Sequence, residues 1–155
     1  MTKPSARTLA RRAALQALYQ WQVTQQPTVE IEVQFLTGGR MRRADIPYFK
    51  DLLHNIPVHV AELDQMLGPL LDRPVRQLDP VTRAILRMGT FELRYRRDIP
   101  WRVVIDEAVE LARFFGAEQS HRYVNGILDK LARAVRAEES SRGPRAPATS
   151  GGGED

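Results

Sequence analysis

The chain of 155 residues contains no cysteine, which excludes disulfide bonds and metal sites that use thiolate ligands. Only three histidines are present, so a transition-metal site built from protein side chains would be short of nitrogen ligands. The glycine-rich motifs G-x-x-x-x-G-K-[ST] and G-x-G-x-x-G, which hold phosphate groups, are also missing. Arg11 and Arg12 interrupt the apolar N-terminal segment, so the sequence predicts neither a signal peptide nor a membrane span and is typical of a cytoplasmic protein.

The first 29 residues carry no acidic side chain, and the first carboxylate of the chain is Glu30. The same segment contains four basic residues: Lys3, Arg7, Arg11 and Arg12. The whole chain has a formal net charge of +4 at pH 7. A basic segment without acids suits a polyanionic partner such as nucleic acid, although a solvated basic helix would have the same composition.

Apolar residues recur at a spacing of three and four, and no segment shows the convincing alternation of apolar and polar residues that a strand would. This pattern predicts an all-α fold with about seven helices around one or two small cores, in one domain over residues 1–137. From about residue 138 the composition turns to Ser, Gly, Pro, Ala and charged residues. A segment of that kind cannot bury enough apolar surface to fold, so residues 138–155 are predicted to be a disordered tail.

Capping residues and prolines predict where several helices begin and end. Asp45 and Asp79 are predicted N-caps, because each is followed by a proline in the first helical turn. Pro57 falls inside a helical pattern and predicts a break near Asn55. The last helix is predicted over residues 118–136.

Three groups of residues resemble parts of catalytic or metal sites. Ser120 and His121 are adjacent, but neighbours on a helix point about 100° apart, and no orienting acid or oxyanion donor is nearby in sequence. Glu118-x-x-His121 matches one half of a carboxylate-bridged metal motif that needs a second copy. An acidic cluster occurs early in the sixth predicted helix: Asp106, Glu107 and Glu110. These acids suit the positive end of a helix, or a docking patch for a basic partner, better than catalysis, and together the three groups do not predict an enzyme.

Two predicted helices carry side chains suited to RNA on their outer faces. In the first helix Arg12, Gln16 and Tyr19 share a face away from the apolar stripe, and they could contact phosphate, base edges and a stacked base. An ordinary amphipathic exterior would look similar. In the last helix the outer face includes Arg122, Tyr123, Asn125 and Gly126. A glycine inside a helix costs about 0.5–1 kcal/mol relative to alanine, which indicates close approach of a partner or of a neighbouring helix.

Four segments of the chain resemble the NusB family: "ARRAALQALYQWQ", "FKDLL", "LDPVTRAILRMGTFEL" and "DIPWRVVIDEAVELARFFGAEQSHRYVNGILDKL". The similarity runs in order over residues 5–135. It implies an all-helical protein of two helical halves, without enzymatic activity, cofactor or metal, that is a monomer or a homodimer. It also implies binding of the boxA element of nascent RNA together with NusE, a ribosomal small-subunit protein, so that RNA polymerase reads through terminators, notably in ribosomal RNA operons. Three alternatives stay open: a helical adaptor in ribosomal RNA biogenesis without antitermination, an adaptor that binds protein only, and an enzyme built on Ser120 and His121 or on the acids of residues 106–110.

Charge, helix projection and resemblance together predict two sets of contact residues. The predicted RNA-binding residues are Lys3, Arg7, Arg11, Arg12, Gln16, Arg122, Tyr123 and Asn125. The predicted partner-binding residues are Tyr19, Gln22, Asp106, Glu107 and Glu110. Thr82 departs from the family pattern P-x-E-[RK]-A, where relatives often carry glutamate, so a partner salt bridge is not expected there.

Overall fold

The computed structural model describes residues 3–137, and the predicted disordered tail lies outside these residues. Within this range seven α-helices and two short 3-10 turns, at Gly68–Leu70 and Val75–Gln77, are present, and no strand is found. The helices are α1 (Ala6–Thr24), α2 (Thr28–Thr37), α3 (Ile46–Val58), α4 (Val60–Leu67), α5 (Pro80–Tyr95), α6 (Trp101–Phe115) and α7 (Ser120–Val135). The predicted all-α class with seven helices is therefore confirmed. No helix in the range is long and apolar enough to cross a membrane.

The side-chain caps that begin α3 and α5 are those predicted from the sequence. The carboxylate of Asp45 accepts the backbone N–H of Tyr48 at 3.1 Å. The carboxylate of Asp79 accepts both the backbone N–H of Thr82, at 2.9 Å, and its hydroxyl, at 2.8 Å. Each bond satisfies an amide that the first helical turn leaves without an intrahelical partner.

The break at Pro57 occurs slightly later than predicted. Pro57 lies inside the last turn of α3, which ends at Val58, and α4 begins at Val60. The backbone N–H of His59 bonds to the carbonyls of Asn55 and Ile56, so the helix tightens before it ends. The proline thus separates α3 from α4 instead of kinking one longer helix.

Helix α5 occupies the centre of the molecule and joins its two halves. It packs against α1, α3, α4, α6 and α7. Buried apolar side chains from all seven helices form one contiguous core. Gly89 allows α5 and α7 to approach closely, because a Cβ at this position would lie 2.6 Å from a methyl carbon of Leu128.

A buried arginine closes the C-terminal end of α5. Arg136 is 1% exposed, and its guanidinium donates to four backbone carbonyls, those of Glu92, Leu93, Arg96 and Ile99, at 2.8–3.2 Å. The last carbonyls of a helix lack intrahelical partners and carry partial negative charge, so they are suitable acceptors for a buried cation. The residue that follows α7 therefore holds the α5–α6 connection in place.

Candidate nucleic-acid interface

Helix α1 presents three of the predicted contact residues on one surface. Gln16 and Tyr19 are exposed and Arg12 is half-buried. These residues recur at three- and four-residue intervals, so they lie above one another on the same helical face. Lys3, also exposed, precedes the helix. The structure therefore brings together a cation, an amide and an aromatic ring, as the sequence predicted.

Arg11 does not lie on this surface, and its burial argues against the RNA contact predicted for it. Its side chain is 3% exposed, and its Nε lies 2.8 Å from a carboxylate oxygen of Glu92. Tyr48 donates its hydroxyl to the same carboxylate. The sequence did contain a sign of this burial, because Leu15 and Leu18 follow Arg11 at the helical spacings of four and seven and are buried.

Burial controls the ionisation of this polar cluster. The pKa of Glu92 is raised because burial disfavours the charged carboxylate, an effect that Arg11 and the Tyr48 hydroxyl oppose. The pKa of Tyr48 is raised well above its ordinary value, first by burial and then by the neighbouring Glu92.

On the outer side of the cluster the Arg7 guanidinium lies 4.2 Å from the centre of the Tyr48 ring and 3.8 Å from Asp45. Arg7 is thus half-exposed but already partly neutralised.

Two of the predicted partner-binding residues are used inside the molecule instead. Glu107 accepts the hydroxyl of Thr8 at 3.1 Å and pairs with Arg11 at 3.4 Å, so it links α6 to α1. The side-chain amide of Gln22 donates to the carbonyl of Pro80 at 2.9 Å and accepts from Arg87 at 3.0 Å. These bonds fix both side chains within the molecule, although each keeps part of its hydrogen-bonding capacity. Their partners are distant in sequence, which is why helix projection did not identify them.

An apolar groove of about 500 Å³ runs beside Tyr19. Its lining includes the apolar side chains of Leu15, Val23, Phe35, Val81 and Phe115. Tyr19 and Gln16 also line it, and the Tyr19 side chain is 43% exposed. A mostly apolar groove with a few polar groups at its edge is typical of a surface that receives a protein segment.

The predicted residues of α7 do not share one surface. Tyr123 is half-buried and donates its hydroxyl to Asp72 at 2.9 Å. Hydrogen bonds from Arg73 and Tyr123 lower the pKa of Asp72 to about 2. Asn125, two residues further along, opens on the other flank of α7, in a depression that it shares with the exposed Asp106. Arg122 lies between these flanks and is exposed. Asn125 is therefore placed with a predicted partner-binding acid instead of with Tyr123.

Ser120 and His121 show no catalytic geometry. The hydroxyl of Ser120 is buried without a hydrogen-bond partner among residues 3–137, and it packs on Gly116, where an added Cβ would lie 2.4 Å from it. Gln119 occupies the N-cap position of α7, so Ser120 does not cap the helix. Within the same range no group of three His, Asp or Glu residues lies close enough to hold a metal ion.

Two exposed features, an aromatic ring at the end of α6 and a basic loop before α3, were given no role in the predictions from the sequence. Phe114 is 64% exposed, and the Arg12 guanidinium lies 4.5 Å from the centre of its ring. Arg42 and Arg43 are exposed in the loop between α2 and α3. A hydrogen bond of 3.0 Å from the backbone of Asp45 to the carbonyl of Ala6 ties the end of this loop to the start of α1. The basic loop therefore lies near the basic N-terminal segment.

Comparisons with known proteins agree with the fold and with the sequence motifs. The family model described as NusB family matches residues 8–133. The transcription antitermination protein NusB of Alcanivorax borkumensis is 55% identical over 143 residues, which cover 92% of this chain and 95% of that protein. The protein of the same name from Nitrosococcus oceani is 55% identical over 133 residues, which cover 86% of this chain and 89% of that protein.

Two solved structures share the fold of this chain. One is T. maritima NusB, with a TM-score of 0.70, 32% identity and coverage of 86% of this chain and 93% of that chain. The other is from a crystal structure of the antitermination factors NusB and NusE in complex with dsRNA, with a TM-score of 0.76, 25% identity and coverage of 83% and 97%. Since the family model spans most of the chain and the relatives are similar over nearly their whole length, this chain belongs to the NusB family.

Proposed function

We propose that this chain is a transcription antitermination factor that binds boxA RNA of nascent transcripts, notably from ribosomal RNA operons, together with NusE. The observation that carries the proposal is the arrangement on α1, where a basic, polar surface adjoins an apolar groove. Arg12 and Gln16 form the first surface and Tyr19 stands at the edge of the second. The names of the relatives and the NusB–NusE–dsRNA structure support the same assignment.

The proposed RNA surface is centred on the outer face of α1. Lys3, Arg7 and Arg12 supply a salt-dependent attraction for phosphates that does not depend on sequence. Gln16, whose side chain is exposed, contacts base edges of RNA. Arg42 and Arg43 extend the same surface, because their loop is tied to the start of α1. Arg11 is excluded by its burial.

Tyr123 and Arg122 add a second set of RNA contacts at the start of α7. The Tyr123 ring packs partly against the core, and its hydroxyl bond to Asp72 fixes the ring orientation. A ring held in one orientation loses little entropy when a base stacks on it. Asn125 is the weakest member of the predicted set, because it neighbours Asp106, whose charge repels phosphate.

The proposed NusE surface is the apolar groove together with the acids of α6 that remain exposed. Tyr19 and the groove would bury an apolar segment of the partner. Asp106 and Glu110 are exposed and suit a basic partner. Thr82 is buried and bonded to Asp79, so it supplies no partner contact in place of the glutamate that relatives often have. In this proposal the assembled complex acts in the cytoplasm on the RNA polymerase elongation complex.

The test is a titration of boxA RNA and of a scrambled RNA, each single-stranded and as a duplex, with and without NusE. Light scattering on the free protein first establishes whether it is a monomer or a homodimer, since a second copy could compete for the groove. Preference for boxA over the scrambled RNA in the presence of NusE is the expected result. Equal affinity for both sequences would refute the proposal.

Substitutions at Tyr123 separate the ring from its hydroxyl. Tyr123→Leu should weaken boxA binding by about 5- to 150-fold, the range for removal of one stacked base. Tyr123→Phe keeps the ring and removes only the bond to Asp72, so it should bind nearly as well as the wild type. Equal weakening in both variants would show that the hydroxyl bond, and not stacking, matters.

A further inference from the structure

Phe114 is the most exposed aromatic side chain in the part of the chain that the structure describes. It is 64% exposed, compared with 43% for Tyr19 and 38% for Tyr95. The apolar stripe of α6 consists of Val104, Ile105, Ala108, Leu111 and Ala112. Phe114 lies off this stripe, so its position is not explained by packing of the core. A single exposed apolar residue is common on protein surfaces, and the surroundings of this one decide its meaning.

The Phe114 ring is held in one orientation by two neighbours. The guanidinium of Arg12 lies over one face, 4.5 Å from the ring centre. The ring of Phe115 meets it nearly edge-on, with centroids 4.9 Å apart and an interplanar angle of 77°. Phe115 is itself half-buried and lines the groove beside Tyr19, so it is anchored. Much of the Phe114 side chain is nevertheless open to solvent, since 64% of it is exposed.

The position of Phe114 connects the two sets of proposed RNA contacts. Through Arg12 it adjoins the outer face of α1, where Gln16 donates to the Arg12 carbonyl at 3.4 Å. Along the chain it stands at the end of α6, directly before the connection that leads to Arg122 and Tyr123 at the start of α7. A strand of RNA that follows the chain from α1 toward α7 would pass this ring.

We propose that Phe114, backed by Arg12, is a stacking platform for one unpaired base of the bound RNA. The inference rests on the proposed function and adds a specific contact to it. An exposed aromatic ring with a guanidinium over it combines base stacking with attraction for the adjacent phosphate. An apolar protein segment bound to this ring would gain less from Arg12, because it would remove water from the guanidinium without offering an opposite charge.

The experiment compares three variants of Phe114 in the presence of NusE and measures affinity for single-stranded boxA RNA. Phe114→Leu keeps an apolar side chain but removes the flat ring, and should weaken binding by about 5- to 150-fold. Phe114→Trp keeps a ring and should bind at least as tightly as the wild type. Phe114→Ala should behave like the leucine variant.

The matched control is Tyr95→Leu, because Tyr95 is also exposed and also has an arginine, Arg94, near its ring at 5.3 Å. It belongs to neither proposed surface, so its replacement should leave RNA affinity unchanged. Thermal unfolding of every variant confirms that it is folded before its affinity is compared.

Four outcomes are informative. Weaker binding by the Leu and Ala variants but not by the Trp variant or the control supports the platform. Unchanged RNA affinity in all Phe114 variants, with the wild type selective for boxA, overturns the platform and leaves the proposed function standing. Weaker NusE binding with unchanged RNA affinity also overturns it and assigns Phe114 to the protein partner. A wild-type protein that does not distinguish boxA overturns both.

Discussion

Replacement of Arg11 by methionine should destabilise the fold, because it leaves the carboxylate of Glu92 buried without its cation. Glu92 is 1% exposed, and Arg11 is its ion-pair partner at 2.8 Å. Removal of one member of a buried pair typically lowers the free energy of unfolding by about 3–5 kcal/mol. Methionine fills much of the space of the arginine stem, so the decrease reflects the charge more than a cavity. For a chain of this size the midpoint of thermal unfolding should fall by about 10–20 °C.

The destabilisation should also depend on pH. Burial raises the pKa of Glu92, so the folded protein keeps a proton that the unfolded chain releases, and stability falls as pH rises through the carboxylate range. Arg11 opposes this shift, and without it the pKa of Glu92 rises further. The difference in unfolding free energy between Arg11→Met and the wild type should therefore be larger at pH 8 than at pH 5.

The assay is urea denaturation at both pH values, followed by RNA titration of the folded variants. Arg12→Met is the matched control: it removes an arginine of the same helix that is half-buried and lies over the exposed Phe114 ring, so it should weaken RNA binding and change stability little. An Arg11→Met protein with unchanged stability and weakened RNA binding would refute the burial of Arg11 and restore the surface role predicted from the sequence.

Three further predictions concern the buried arginine after α7, two glycines and the basic loop. Arg136→Met should lower the free energy of unfolding by about 3 kcal/mol, because the carbonyls at the end of α5 lose a buried donor, and denaturation with urea measures the decrease. Gly126→Ala should raise the free energy of unfolding by about 0.5–1 kcal/mol, since a Cβ there meets nothing within 4 Å. Gly89→Ala should lower it by about 1–3 kcal/mol, because the added Cβ overpacks against Leu128 of α7. The opposite order of stabilities would contradict the packing of α7. Exchange of Arg42 and Arg43 for glutamine should reduce the slope of log affinity against log salt by about 0.7 for each phosphate that is no longer neutralised, and an unchanged slope would place the loop outside the RNA surface.

Local features of the sequence were sufficient to predict the helices and several of their ends. Asp45 and Asp79 cap the helices that follow them because the bonds reach only three residues along the chain. The face of Arg12, Gln16 and Tyr19 follows from helical periodicity alone. The helices and several of their ends could therefore be predicted before any tertiary contact was known.

Contacts between distant residues were the part that the sequence could not supply. The acid that pairs with Arg11 is 81 positions away, so charge counting placed this arginine on the surface with its neighbours. Tyr123 was expected to point outward, but its hydroxyl reaches Asp72, 51 positions earlier. Phe114 is an apolar residue of an amphipathic helix, so its 64% exposure and its contact with Arg12 of α1 could be seen only in the folded structure.

The structure removes one of the two explanations that the sequence offered for Gly126 inside α7. Its cost to the helix indicated either a neighbouring helix or a bound partner. A Cβ at this position would meet no other atom within 4 Å, so no neighbouring helix in residues 3–137 requires the glycine. A drop in RNA or NusE affinity in Gly126→Ala, despite higher stability, would assign the glycine to the bound complex.

The central claim is that one helix carries two adjoining surfaces, one for boxA RNA and one for NusE, so that each ligand strengthens binding of the other. The most direct test is calorimetry of both reciprocal titrations: NusE with and without saturating boxA RNA, and boxA RNA with and without saturating NusE. We predict that both affinities rise by the same factor, about 5- to 150-fold, as thermodynamic linkage requires. Affinities that do not change, or that rise equally with scrambled RNA, would contradict the claim.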